Sequence, residues 1–315
     1  MSSLPLTNTL PPTTTPAEGC PTPLAWHEVL SSFREQSTPW ELDRGGYRLR
    51  GRSLGTGPAL YLLNGMGGSH ELYALLAWLL RDTFRCVLYD YPGHEIRTGR
   101  LPRISLTDLA ADLYAVADLQ GDSQFCLYGT SFGSLVGLRA LTPCSQATHD
   151  SGTSHVSGRI VRAVFQGGFA YRRLSSPERW LIRFGGLLPI RLRHMPLRKV
   201  VQRQNHLAWF PPYDRTRWEF FLENVGEVPV AALCQRGGMI RDNDLRPALA
   251  GIRQPVLLIH GEGDGLVSND CHHALQQGIP GARTEWLHSS GHIPYLTHPH
   301  RLAKLIKDFL LEESG

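Results

Sequence analysis

Five apolar runs govern what this chain can fold into: "ALYLLNG" (59–65), "RCVLYD" (85–90), "SQFCLYG" (123–129), "RIVRAVFQGG" (159–168) and "QPVLLIHG" (254–261). Most are unbroken, so neither face of such a strand can turn to water, and strands of that kind belong in a sheet covered on both sides. Between the first of them lie "HELYALLAWLLRD", "SLTDLAADLYAVADL" and "GSLVGLRAL", whose apolar residues recur with helical spacing. Alternation of buried strands with amphipathic helices predicts an α/β fold, a mostly parallel central sheet flanked by helices. Ahead of it, "WELDRGGYRLRGRSLG" carries two short runs around Gly45 and Gly46, the pattern of a hairpin that adds antiparallel edge strands.

The alternation stops between about Tyr171 and Asp244, a stretch rich in Arg, Trp and Pro, and resumes at "QPVLLIHGEGD" and "ARTEWLHSSGH". Residues 171–244 are therefore expected to form a helical cap inserted into a core made of 24–170 and 245–315. The terminal "HRLAKLIKDFLLEE" reads as a helix burying Leu302, Leu305, Ile306, Phe309 and Leu310. Residues 1–23, dominated by Pro and Thr, have too little apolar surface to pack and are expected to form a disordered tail. The stretch 145–158 reads as a polar loop.

Of the 315 residues, 42% are hydrophobic, enough for a large core, and the net charge of +4 gives no warrant for nucleic-acid binding without a basic patch interleaved with stacking aromatics. Six scattered cysteines, with no Cys-x-x-Cys pair, predict free thiols rather than a disulfide framework or a zinc site. The N-terminus has no basic segment leading into an apolar one, and no run reaches the ~18 apolar residues of a membrane span. The expectation is a cytoplasmic protein with no transmembrane segment.

The stretch "LYGTSFGSLVG" brings a strand into Gly129-x-Ser131-x-Gly133 and a helix out of it. Three small residues in a row of five are compatible with an ordinary turn, but strand, turn and helix together suit a serine held at a strained corner, with glycines where backbone comes close. A serine hydroxyl is a weak nucleophile and needs a base. His292, in "SSGHIP", follows one strand-like run; Asp264, in "GEGDGLV", follows another. All three stand at C-terminal strand ends, the rim where open α/β sheets bind ligands. Glu262 and Asp270 are the nearest rival acids, and His288, His298 and His300 the rival bases.

Taken together, "LNGMGGS", "DYPGH", "GTSFGS", "GEGD" and "SSGH", in that order over residues 40–312, resemble the α/β-hydrolase fold superfamily. The resemblance implies a triad of Ser131, Asp264 and His292, and an oxyanion hole from the backbone N–H groups of Met66 and Phe132. It implies that Gly65 and Gly67 touch substrate, that His94 is either a loop histidine holding a turn or a further substrate contact, and that a strand separates Cys86 from Cys126. Two positions depart from the common pattern: Asn64 stands where many relatives have histidine, and Glu95 where many have glycine.

The implied activity is that of a serine hydrolase cleaving a carboxylic ester, thioester or related acyl compound, with a small-molecule acyl substrate and neither metal nor cofactor. Hydrolysis of a carbon–carbon bond and ligand binding without turnover remain alternatives on the same fold. Between Arg172 and Arg203, nine basic residues (Arg172, Arg173, Arg179, Arg183, Arg191, Arg193, Arg198, Lys199, Arg203) face one acid, Glu178. Such a segment is either a solvated helix face or a device that attracts an anionic substrate or surface.

Overall fold

A computed structural model describes residues 25–94, 101–142, 157–210 and 215–312. The proposed tail, Glu95 and most of the polar loop lie outside these residues. The sheet has eight strands: β1 (Thr38–Asp43), β2 (Arg48–Leu54), β3 (Ala59–Leu63), β4 (Arg85–Tyr89), β5 (Phe125–Thr130), β6 (Ile160–Gln166), β7 (Val256–Gly261) and β8 (Arg283–Leu287). They lie in the order β1-β2-β4-β3-β5-β6-β7-β8. β2 runs antiparallel to β1 and β4, and every other neighbouring pair is parallel.

Successive side chains of the central strands enter opposite faces, as a pleated strand requires. Tyr61 and Leu63 of β3, Phe125 and Leu127 of β5, and Val256 and Leu258 of β7 join one core. There they meet Leu109, Leu113 and Val116 of α3 (Leu106–Gln120) and Leu135, Val136 and Leu138 of α4 (Phe132–Leu141). Leu60, Leu62, Cys126, Tyr128, Leu257 and Ile259 enter the other. That core is closed by α1 (Trp26–Gln36), α2 (Ala74–Leu80) and α10 (Pro299–Leu310). Leu60 of β3 is in register with both Cys86 and Cys126, so a strand does separate the two thiols. Cys86, Cys126, Cys234 and Cys271 are free.

Local signals explain where elements begin and end. Ser105 and Asp108 form a reciprocal capping box at the start of α3, and Gly121, at φ 74°, ends it. "HELYALLAWLLRD" does not form one helix: His70–Tyr73 is a 3-10 turn and α2 follows it. Helices α1 and α9 (Asn269–Gly278) stand where the sequence pattern predicts no element.

Strands β6 and β7 pair directly, although α5 (Ser176–Gly185), α6 (Arg198–His206), α7 (Arg215–Gly226) and α8 (Val230–Asp242) separate them in the chain. α5 and α8 pack on each other where Ile182 meets Gly237 and Leu181 meets Cys234. Among the described residues no helix is long and apolar enough to cross a membrane.

Candidate active site

Ser131 sits between β5 and α4 at φ 53° and ψ −115°, a backbone conformation that L-residues rarely adopt. The corner is fixed from both sides: its N–H donates to the Gln166 carbonyl (2.9 Å), and Ser134 Oγ donates to the Gly129 carbonyl (2.8 Å). Any Cβ on Gly133 would stand 2.3 Å from the Leu63 carbonyl oxygen and 2.7 Å from that of Asn64, and one on Gly129 would stand 2.7 Å from the Gly133 oxygen. Both glycines are therefore there because helix and strand meet backbone to backbone.

Asp264 follows β7 and His292 follows β8. His292 Nδ1 and Asp264 Oδ2 are 2.6 Å apart, and the carboxylate is sealed from water. The other carboxylate oxygen accepts from the N–H groups of Leu266 (2.9 Å) and Val267 (3.0 Å). Burial by itself pushes the Asp264 carboxyl up, but the imidazole and these donors outweigh it and hold the group below its ordinary value. Room for the pair comes from Gly167, at φ 54°, where a Cβ would lie 3.1 Å from both Asp264 Oδ2 and His292 Nδ1. Three of the rival residues are engaged elsewhere: Glu262 bonds His288 at the exposed surface, and His298 Nδ1 lies 2.9 Å from Thr297 Oγ1.

Ser131 and His292 line one cavity of ≈ 200 Å³, together with Gly65, Met66 and Gly67 of the loop after β3. Phe132 opens α4, where the first amides have no acceptor within the helix. In the 64–68 loop, Gly65 N–H donates to Tyr73 Oη (2.9 Å) and the Met66 carbonyl accepts from Arg236 Nη1 (2.6 Å). Asn64 Nδ2 donates to the Tyr89 carbonyl (2.9 Å), so this side chain ties β3 to β4. His94 is not in this cavity. It lines a larger, more open hollow of ≈ 580 Å³ beside the β1–β2 hairpin, which contains neither Ser131 nor His292.

The alpha/beta hydrolase family model matches residues 60–305. The chain belongs to that family. This alpha/beta hydrolase is 40% identical over 266 residues to the pimeloyl-[acyl-carrier protein] methyl ester esterase of Aromatoleum aromaticum, a match covering 80% of this chain and 97% of the relative. It is 25% identical to a putative carbamate hydrolase of Cronobacter turicensis, covering 79% and 89%. The crystal structure of an enol-lactonase from Burkholderia xenovorans shares the fold with a TM-score of 0.70 at 23% identity, covering 87% of this chain and all of that one.

The cavity of this alpha/beta hydrolase is closed by residues that the sequence did not single out. Gln202 and His206, one turn apart on α6, present polar groups to a lining otherwise supplied by Leu192, Phe221, Val225 and Leu233. His206 is buried, its ring centroid 6.4 Å from that of His292. Burial and the neighbouring imidazole lower it to about 4, so it is neutral at pH 7. Gln166, at the end of β6, donates to the His292 carbonyl (3.2 Å) and accepts from Thr130 Oγ1 (3.2 Å), linking the loops of Ser131 and His292. No signal short of the sheet order could have found it.

The nine basic residues are less exposed as charges than their count suggests. Arg172 pairs with Glu178, and Arg191 and Arg193 pair with Glu227, an acid outside the counted segment. Among the described residues, Arg173, Arg179, Arg183, Lys199 and Arg203 have no carboxylate partner, and all five are exposed.

Proposed function

We propose that this alpha/beta hydrolase is a serine carboxylesterase acting on the methyl ester of an acyl chain attached to an anionic carrier. The observation that carries the chemistry is the buried Asp264–His292 bond beside a cavity that also opens on the strained Ser131. Ser131 attacks the ester carbonyl while His292 takes its proton. Asp264 fixes the imidazole tautomer and stabilises the imidazolium, and the Met66 and Phe132 N–H groups hold the tetrahedral oxyanion. Collapse of that intermediate expels the alcohol, protonated by His292, and water then repeats the sequence on the acyl-enzyme. A small, mostly apolar cavity suits an alkyl chain rather than a polar polymer.

The carrier reading rests on the 40% identical methyl ester esterase and on the exposed Arg179, Arg183, Lys199 and Arg203. The test has two parts. A fluorophosphonate probe is expected to label Ser131 and no other serine, and labelling elsewhere would overturn the nucleophile. A carrier-linked acyl methyl ester is expected to be cleaved with a higher kcat/KM than the free monomethyl ester of the same diacid. Equal values would remove the carrier and leave a small-molecule esterase.

A further inference from the structure

Arg236 is a guanidinium inside the protein, 2% exposed, on the helix α8 that lies over the cavity. Among the described residues it has no carboxylate partner, and the nearby Asp90 is bound to His70 (3.0 Å). Its N–H groups go to main-chain carbonyls instead: Nη1 to Met66 (2.6 Å), and Nη2 to Tyr91 (3.5 Å) and Pro92 (3.4 Å). The Asp90 charge reaches Arg236 only from beyond ion-pair distance, and burying a cation without a direct partner is costly, an apolar side chain of similar volume being the usual stable alternative. The guanidinium stays where its donors meet the 64–68 loop and the turn after β4 together.

Tyr91 extends the same contact. Its hydroxyl donates to the Asn64 carbonyl (3.0 Å), and its ring stands edge-on to that of Phe132, centroids 5.4 Å apart at 84°. The Arg236 cation lies 5.4 Å from the Tyr91 ring centroid. One cluster thus reaches Asn64 and Met66 on one side and Phe132 on the other. Those are the two backbone segments whose N–H groups must converge on one oxygen. Tyr73, accepting from Gly65 N–H, holds the first segment from below.

We infer that Arg236, acting with Tyr91, is a positioning residue that sets the two halves of the oxyanion hole from the lid side. The inference rests on the proposed roles of Ser131, Met66 and Phe132. A donor displaced by about 1 Å costs on the order of 100-fold in rate, and donors of this kind act on the transition state more than on bound ester. Arg236→Gln is therefore expected to lower kcat about 10- to 100-fold with KM within about threefold of the parent. Arg236→Lys, which keeps the charge but not the fork, should fall between the two. Tyr91→Phe, which removes a single hydroxyl, should lower kcat about 3- to 10-fold with the same unchanged KM.

The readout that a merely structural residue would not move is affinity for an alkylboronic acid, which forms a tetrahedral anionic adduct on the serine. Across the variants its loss should match the loss in kcat/KM. Parent-like kcat and boronate affinity with only a lowered melting temperature would overturn the inference. A raised KM at constant kcat would overturn it too. If the Arg236 variants fail to fold, Tyr91→Phe decides by the same criteria. Should the parent chain itself not be labelled at Ser131 by a fluorophosphonate, the proposed function and this inference fall together. A labelled, active parent matched by its variants sinks the inference alone.

Discussion

His272 of α9 offers a direct measurement of what a buried imidazole contributes to stability. It is 2% exposed, with its ring 5.0 Å from that of the fully buried His260 and 4.9 Å from that of Trp286. Burial, with His260 and His273 as like-charged neighbours, lowers its pKa from 6.5 to about 4. The unfolded chain therefore takes up a proton at 272 near pH 6.5, whereas the folded chain resists until about pH 4. Across that window the unfolded state binds more protons, so stability falls as pH falls. Integrating over the two values gives a loss of about 2 kcal/mol between pH 7 and pH 5, and about 3 kcal/mol in full.

Urea unfolding of the parent and of His272→Phe at pH 7 and pH 5 isolates the effect. Phenylalanine is an aromatic ring somewhat larger than the imidazole, and any overpacking costs the same at both pH values, so only the difference in pH dependence is read. The parent is expected to lose about 2 kcal/mol more than the variant on acidification. Equal losses would show that position 272 is protonated or hydrated in the folded state, and would refute the argument from burial.

Other outcomes follow from the site. Ser131→Ala and His292→Ala should each lower kcat by about 10⁵- to 10⁶-fold, and the double variant by little more. Asp264→Asn should cost around 10⁴-fold by leaving the wrong imidazole tautomer, while Glu262→Gln stays near the parent value, both measured on a p-nitrophenyl ester. His206→Phe keeps the shape over the cavity but removes a neutral donor and acceptor; a substrate bonded there would lose about 10-fold in kcat/KM, and the pH profile should not shift between pH 5 and 8 because His206 is already neutral there. Lys199→Glu with Arg203→Glu should weaken turnover of an anionic ester, and that loss should shrink as salt rises toward a Debye length of ~3 Å. A neutral ester should not respond.

The sheet was readable because both-face burial leaves short unbroken apolar runs, repeated in alternation with helical patterns and bounded by turns: Ala59–Leu63 and Arg85–Tyr89 sit where such runs stand, although the equally apolar Ala74–Leu80 is a helix. Candidate residues at strand ends were readable for the same reason, since the strands predict their own termini. Helix α9 was not. Its inward face is His272 and Leu275, and a histidine counted as polar hides the stripe that burial reveals. Helix α1 has an apolar stripe, Trp26, Val29, Leu30 and Phe33, but its N-cap is Ala25, with no side-chain bond to mark a start. His94 lines the hairpin hollow and not the cavity beside Ser131, because motif adjacency is not spatial adjacency. The turn after β4 lines the hairpin hollow from Asp90 to His94, and within it the Tyr91 ring also meets Phe132 edge-on.

Helix α6 shows why specificity was the least legible part. Read by hydropathy, Val200 and Val201 should face inward and Gln202 and His206 outward. The fold inverts this: the two valines are 60% and 52% exposed, while His206 is buried and Gln202 lines the cavity. An inverted helix gains nothing from burying its own apolar side chains, so its placement must come from its neighbours. His206 packs edge-on against Phe221 of α7, and Arg198 Nη1 donates to the Leu222 carbonyl (2.7 Å). The inward polar pair is then free to be chosen by substrate. Hydrophobic patterning is a record of what folding requires, and at α6 folding requires little. Positions under that relaxed constraint are where a fold shared by esterases, lactonases and carbamate hydrolases can differ between one substrate and the next.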